Sequence, residues 1–234
     1  MKPYFQEKDI TLYQGDCLEI LPKLDLGKRV LLFTDPPYGI GETGKRSRES
    51  KSSDKWMAPK QKDYGDKDWD KKPPPPEYFE GVLANTKDQI IFGGNYFTEW
   101  LRNSSCWLFW DKNNGKCDFA DGELAWTSFS SAVRKYTWLW NGFQKERPEE
   151  RYHPTQKPVG LAKLILKDYY NKQKYDLVLD THMGVGSFGV ACQELGIPYV
   201  GIDMDSDYCR DARFRLANLE TLAELTEDKQ GFFY

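Results

Sequence analysis

The chain has 234 residues, of which 39% are hydrophobic, 29% charged and 15% aromatic, with a formal net charge of −3. That length suits one domain around a substantial core, the aromatic share argues against a solvating disordered chain, and no apolar run approaches the roughly 18 residues needed to cross a bilayer. The N-terminal stretch lacks an export-type apolar segment and the acidic balance gives no general attraction for polyanions, so a cytoplasmic protein is expected whose contacts with nucleic acid, if any, come from a local basic surface.

In chain order, strands are predicted at Ile10 to Tyr13, Val30 to Thr34, Gln89 to Phe92, Cys106 to Trp110, Tyr136 to Trp140, Asp176 to Leu179 and Tyr199 to Ile202. Helical spacing falls between them, which predicts an α/β domain with a mostly parallel, twisted sheet and helices on both faces. Leu161, Leu164, Ile165 and Tyr169 form one apolar stripe behind Pro158, a residue suited to a first helical turn. Tyr208, Cys209, Ala212, Leu216 and Leu219 form another behind Asp205 and Ser206, either of which could cap it. Trp107, Trp110, Trp126, Trp138 and Trp140 lie on or near strands and are expected to pack in the core or on the sheet.

Residues 39–76 interrupt the pattern. They are poor in aliphatic residues and end in Pro73 to Pro76, and read as a long inserted loop in an otherwise single domain spanning 1–234. Within it Lys45, Arg46, Arg48, Lys51, Lys55, Lys60 and Lys62 outnumber Glu42, Glu49 and Asp54, so the segment is basic in an acidic chain. Such a run serves as a solvated loop or as a contact for phosphates. The five cysteines are scattered with no Cys-x-x-Cys spacing, and only His153 and His182 could join them, so no metal site is expected.

Two motifs carry chemistry. After the predicted strand ending at Leu179 come Asp180-Thr181-His182-Met183-Gly184-Val185-Gly186-Ser187. A strand, an acidic residue and a glycine turn opening a helix form a nucleotide-binding junction, although similar turns also serve purely structural strand–helix joints. Gly184, Gly186 and Gly189 match the spacing of a dinucleotide fingerprint with Asp203 downstream, which keeps a nicotinamide-dependent oxidoreductase in view. The placement of Asp180 before the first glycine and of Asp203 at a strand end favours S-adenosylmethionine, with Asp203 on the ribose and Asp180 toward the methionine end. The second motif is Asp35-Pro36-Pro37-Tyr38, directly after an apolar strand. Two prolines stiffen the turn, so the Asp35 carboxylate and the Pro36 carbonyl can aim at one amino group while Tyr38 offers a stacking face. An exocyclic base amine has its lone pair delocalised into the ring. Two acceptors on its hydrogens favour the pyramidal form that can attack a methyl donor.

In these motifs the chain resembles the beta-class DNA amino-methyltransferases, in which the catalytic tetrapeptide precedes the cofactor glycines. Asp35 to Tyr38 and Asp180 to Gly186 match in order, His153-Pro154-Thr155-Gln156-Lys157-Pro158 looks like the segment before the cofactor strand, and Gly15-Asp16-Cys17 like the family's Gly-Asp-Cys. The resemblance implies a Rossmann-like fold in permuted order that binds S-adenosyl-L-methionine, releases S-adenosyl-L-homocysteine and needs no metal. It implies cofactor contacts from Asp16, Cys17, Asp35, Thr155, Gln156, Lys157, Asp180, His182, Gly184, Gly186, Ser187, Asp203 and Met204. Thr155 to Lys157 would help to hold the methionine carboxylate. Asp at position 35 implies adenine N6 as the target, where Ser is usual for cytosine N4. Double-stranded DNA is the implied partner, with the base flipped out; a homodimer, a bacterial or phage-encoded origin and a restriction–modification setting accord with the family. The chain departs from the family pattern at Thr181-His182, Val185 and Phe188. Residues 141–152 alone separate Trp140 from His153, where relatives insert a target-recognition domain. The basic loop, through Lys45, Arg46, Arg48, Lys51 and Lys55, is therefore expected to contact DNA, and an aromatic of Phe92-Gly93-Gly94-Asn95-Tyr96-Phe97 to line the base pocket.

Overall fold

The computed structural model describes residues 1–41, 70–114, 120–140, 152 and 155–217. Its strands are β1 (Phe5–Glu7), β2 (Ile10–Gln14), β3 (Val30–Thr34), β4 (Asp88–Phe92), β5 (Trp107–Asp111), β6 (Gly122–Thr127), β7 (Arg134–Thr137), β8 (Leu177–Asp180) and β9 (Tyr199–Asp203). Its helices are α1 (Cys17–Ile20), α2 (Pro76–Asn85), α3 (Val159–Tyr169), α4 (Ser187–Glu194) and α5 (Ser206–Ala217). All the described strands join one sheet in the order β1-β2-β9-β8-β3-β4-β6-β5-β7.

The centre of that sheet, from β2 to β4, is parallel throughout, and antiparallel pairs appear where β1 joins β2 and where β6 meets β4 and β5. Each residue of β3 is buried, as expected for a strand covered on both faces, and this is why its sequence is a continuous apolar run. Leu31, Phe33, Ile90 and Phe92 face one core with α3, α4 and α5; Val30, Leu32, Ile91 and Leu179 face another with Tyr78, Phe79 and Val82 of α2 and with α1. Helices therefore cover both faces, in a Rossmann-like arrangement. The five tryptophans pack on or beside this sheet, Trp110, Trp126 and Trp140 being buried.

Several expected boundaries move. The strand expected over Tyr136 to Trp140 is β7, which begins and ends earlier because Leu108 to Asp111 align with Arg134 to Thr137. β1 and β6 have no counterpart among the expected strands. The inserted loop ends before Pro76, which opens α2: Pro75 is extended at the N-cap, and a proline in the first turn gives up no helical hydrogen bond. In α3 Leu164 is exposed and the buried stripe runs through Leu161, Ala162, Ile165 and Leu166, with Pro158 as an extended N-cap. Asp205, not Ser206, caps α5, accepting from the Asp207 and Tyr208 N–H groups at 2.9 and 3.1 Å. Leu219 lies outside the described residues.

The site is placed by topology. The chain leaves β3 toward β4 on one side, whereas β8 leads to β9 on the other, so a switch point falls between β3 and β8. Open α/β sheets bind ligands in the crevice outside the carboxyl ends of their strands at such a point. Asp35 follows β3 and Asp180 ends β8, which puts both motifs there.

Candidate active site

The tetrapeptide turn is anchored from behind. Asp70, almost fully buried, accepts from the Gly39 N–H through its side chain and from the Gly41 N–H through its carbonyl, each at 2.9 Å, so residues 39–41 are held to Asp70 just beyond Tyr38. Lys45, Arg46, Arg48, Lys51 and Lys55 lie outside the described residues, as do His153 and Pro154.

Below the turn a polar cluster ties the motifs together. The Thr34 hydroxyl donates to Asp180 Oδ1 at 2.9 Å, the His182 N–H reaches the same oxygen at 3.2 Å, and the Tyr199 hydroxyl donates to Oδ2 at 3.1 Å. Thr181 Oγ1 sits 3.1 Å from Thr34 Oγ1 and 2.6 Å from the Tyr78 hydroxyl. Asp180 is thus turned into the core, where burial pushes its carboxyl up to about 7 against these hydrogen bonds. Its carboxylate fastens the ends of β3 and β8. Thr181, a departure from the family pattern, is a member of the same cluster. Phe188, another departure, stacks on Phe33 at a centroid distance of 4.2 Å and supports the turn from the core. Burial lowers His182 to about 4, so its imidazole is neutral near pH 7; the ring lies edge-on to Tyr78.

Around the glycine turn the expected cofactor residues converge from three strand ends. Asp203 Oδ2 accepts from the Gly184 N–H at 2.8 Å and Oδ1 from the Asp205 N–H at 2.9 Å, while the Asp203 carbonyl accepts from Gly15 at 2.8 Å. Asp16 caps α1 through the Leu18 N–H, and Cys17 beside it is buried, its thiol pushed up to about 12 by burial and by Asp16. Gly184 has φ +50° and a Cβ there would meet nothing within 4 Å, so the turn borders open space that a ligand can enter closely. The buried Arg215 donates to the Ser187 hydroxyl at 3.2 Å and to the Val185 carbonyl at 2.7 Å, locking the turn from beneath. Met204 is largely exposed next to Asp203. Thr155 is partly buried, and Gln156 accepts from the Tyr152 N–H at 2.8 Å.

Lys157 reaches the tetrapeptide. Its ammonium, on a side chain only 5% exposed, lies 2.6 Å from Asp35 Oδ2, 3.1 Å from Glu123 Oε2 and 3.2 Å from the Tyr38 hydroxyl. Tyr38 donates to Asp35 Oδ1 at 2.7 Å and has Glu123 Oε2 at 3.3 Å; Lys112 reaches Glu123 Oε1 at 2.6 Å. Burial raises Asp35 above the usual carboxylate range, opposed by Lys157 and reinforced by the charge of Glu123. Glu123, with two cations, is pushed down to about 2 despite its own burial. The two carboxylates hold Lys157 firmly protonated.

Glu123 and Lys112 are absent from the site expected on sequence grounds, and Tyr96 enters it only as one of several aromatics. Tyr96 stacks on Tyr38 at 4.9 Å and 15°, and is nearly half exposed. A base that stacks on that face of Tyr38 has to displace it.

Comparisons with known proteins bear on the family and the fold. Residues 100–214 match the family model of the N6/N4 DNA methylases. The chain is 24% identical over 253 residues to the type II methyltransferase M2.MboI of Moraxella bovis, covering 89% of this chain and 88% of that one. It is 24% identical over 249 residues to M2.DpnII of Streptococcus pneumoniae, with 92% of each covered. Among solved structures, M1.HpyAVI with S-adenosylmethionine superposes with a TM-score of 0.55 at 22% identity, over 88% of this chain and 100% of that one. The cytosine-N4-specific PvuII DNA methyltransferase does so with a TM-score of 0.57 at 14% identity, over 92% and 88%.

Proposed function

We infer that this chain, a DNA amino-methyltransferase by its motifs and relatives, transfers the methyl group of S-adenosyl-L-methionine to N6 of adenine in DNA. The observation that carries the reading is the placement of Asp35-Pro36-Pro37-Tyr38 and the Gly184 turn side by side at the switch point, joined through the Thr34–Asp180 hydrogen bond of 2.9 Å.

The residues present fit the cofactor. The open space over Gly184, the Asp203 carboxylate at the end of β9 and Asp16 after β2 form a cradle whose acceptors would hold ribose hydroxyls, and His182 beside the turn is neutral. When bound, the cofactor supplies an electrophilic methyl and leaves as the neutral thioether. Asp35 and the Pro36 carbonyl accept the amino hydrogens of the flipped base and so direct its lone pair toward that methyl. The Asp35 carboxylate stands where positive charge develops on N6, and receives the proton that the methylated amine sheds on its way to solvent. Tyr38 supplies the stacking face.

The choice of adenine rests on Asp35, and the likeness to a cytosine-N4 enzyme makes N4 the second reading. Digesting DNA methylated by the purified protein to nucleosides distinguishes them: N6-methyl-2′-deoxyadenosine is the expected product, and N4-methyl-2′-deoxycytidine overturns the assignment.

Without a long insert before His153, duplex contact is assigned to the basic segment within 39–76. Neutralising Lys45, Arg46 and Arg48 together should weaken DNA binding and lower the slope of log K against log salt by about 3, roughly one for each phosphate that no longer meets a cation. An unchanged slope in a fluorescence-anisotropy titration rejects the assignment.

A further inference from the structure

Each oxygen of Asp35 already holds one donor, which leaves it one lone pair rather than two for any further hydrogen. Lys157 holds Oδ2 at 2.6 Å and the Tyr38 hydroxyl holds Oδ1 at 2.7 Å. Yet the proposed chemistry, on which this inference rests, needs Asp35 to accept from the target amine. Each of the two donors that occupy Asp35 has the same second acceptor within reach: Glu123 Oε2, 3.1 Å from Lys157 Nζ and 3.3 Å from Tyr38 Oη. The other oxygen of Glu123 is fixed by Lys112 at 2.6 Å, so the carboxylate is held with one face toward the pair. It projects from β6, across the sheet from the turn, and β6 is locked to the loop after β4 by the Gly93 N–H donating to the Leu124 carbonyl at 2.8 Å. A carboxylate on an interior-facing strand position is costly to desolvate unless it is paired, and here the pairing is shared with the acceptor of the reaction.

We propose that Glu123 is a positioning residue: as the amino group of the target base arrives, Glu123 takes over the ammonium of Lys157 and the hydroxyl of Tyr38 and thereby releases the Asp35 oxygens to accept from that amino group. The exchange moves two hydrogen bonds and no net charge. Asp35, Glu123, Lys157 and Lys112 balance two negative against two positive groups before and after it, with Tyr38 neutral; among the described residues Asp180 is a further carboxylate that senses Asp35.

Glu123→Gln tests this. The amide keeps the shape and an acceptor oxygen but loses the charge that draws the ammonium, so Lys157 stays on Asp35. The expected result is a fall in kcat of roughly 10²-fold, the size associated with a misplaced reacting group, with KM for DNA and calorimetric affinity for S-adenosylmethionine nearly unchanged. The acid limb of the kcat profile should also move to lower pH, because the charge of Glu123 that raises Asp35 is gone; removal of a merely structural interaction would lower kcat without moving that limb. Glu123→Asp, which keeps the charge with shorter reach, should give an intermediate kcat and carries the test if the glutamine variant does not fold. In a crystal of the wild type soaked with adenosine and S-adenosyl-L-homocysteine, Lys157 should lie closer to Glu123 than to Asp35, the reverse of the order without ligand. Wild-type kcat in both variants, or an unreversed order in the soaked crystal, overturns the role of Glu123 alone. A wild-type protein that methylates no DNA base removes the functional reading, and this proposal with it.

Discussion

Asp35→Ala should abolish methyl transfer, lowering kcat by on the order of 10³-fold or more, while S-adenosylmethionine binding measured by calorimetry stays close to wild type. The magnitude follows from losing both an orienting acceptor and the charge that faces the developing ammonium. The separation of activity from folding follows from the surrounding network. Removing one partner of a buried ion pair commonly costs about 3–5 kcal/mol because the other charge is stranded. Here Lys157 keeps Glu123 at 3.1 Å and Tyr38 keeps the same carboxylate at 3.3 Å, so neither donor is left without an acceptor. A folded, cofactor-binding protein that transfers no methyl group is the expected result. Transfer of radioactive methyl at more than a tenth of the wild-type rate would show that Asp35 is not the acceptor.

The parts of this site that could be read from the chain are those encoded within a few consecutive residues. β3 announces itself because a strand buried on both faces has to be apolar at each position, and the tetrapeptide follows it directly. The glycine turn and Asp203 are similarly local, each set by one strand end. Glu123 is invisible in the sequence for the opposite reason. A lone acidic residue in Gly122 to Thr127 resembles a solvent-facing position, and its meaning comes from Lys112, Lys157 and Tyr38, which three other segments bring to it. Lys157 carries a family expectation tied to the methionine carboxylate, whereas its ammonium is held by Asp35 and Glu123; the length of a lysine side chain lets the same position in the sequence serve either end of the crevice. The start of α2 is hidden by four prolines, which signal a loop when counted but permit a helix when the last of them occupies the first turn.

The stacking wall gives the second large effect, through Gly93. Its φ of +67° is unfavourable for any residue with a Cβ, and a Cβ built there would lie 2.1 Å from Cε1 of Tyr38. The backbone has little room to slide away, because the Gly93 N–H is bound to the Leu124 carbonyl and Gly94 lies close against Trp126. Gly93→Ala should therefore push the Tyr38 ring off its position, and with it the hydroxyl that bridges Asp35 and Glu123. Gly196 supplies the control: its φ is +64°, yet a Cβ there meets nothing within 4 Å. Gly196→Ala should cost about 1–2 kcal/mol from the backbone conformation and leave kcat unchanged. Gly93→Ala should cost a further ~1–3 kcal/mol from overpacking and lower kcat by roughly 10²-fold through the displaced ring. Denaturant unfolding and methyl-transfer kinetics on the two variants separate the backbone penalty from the steric one. Equal kcat in the pair would mean that the position of Tyr38 does not matter to the reaction, and the stacking role assigned to it would have to be abandoned.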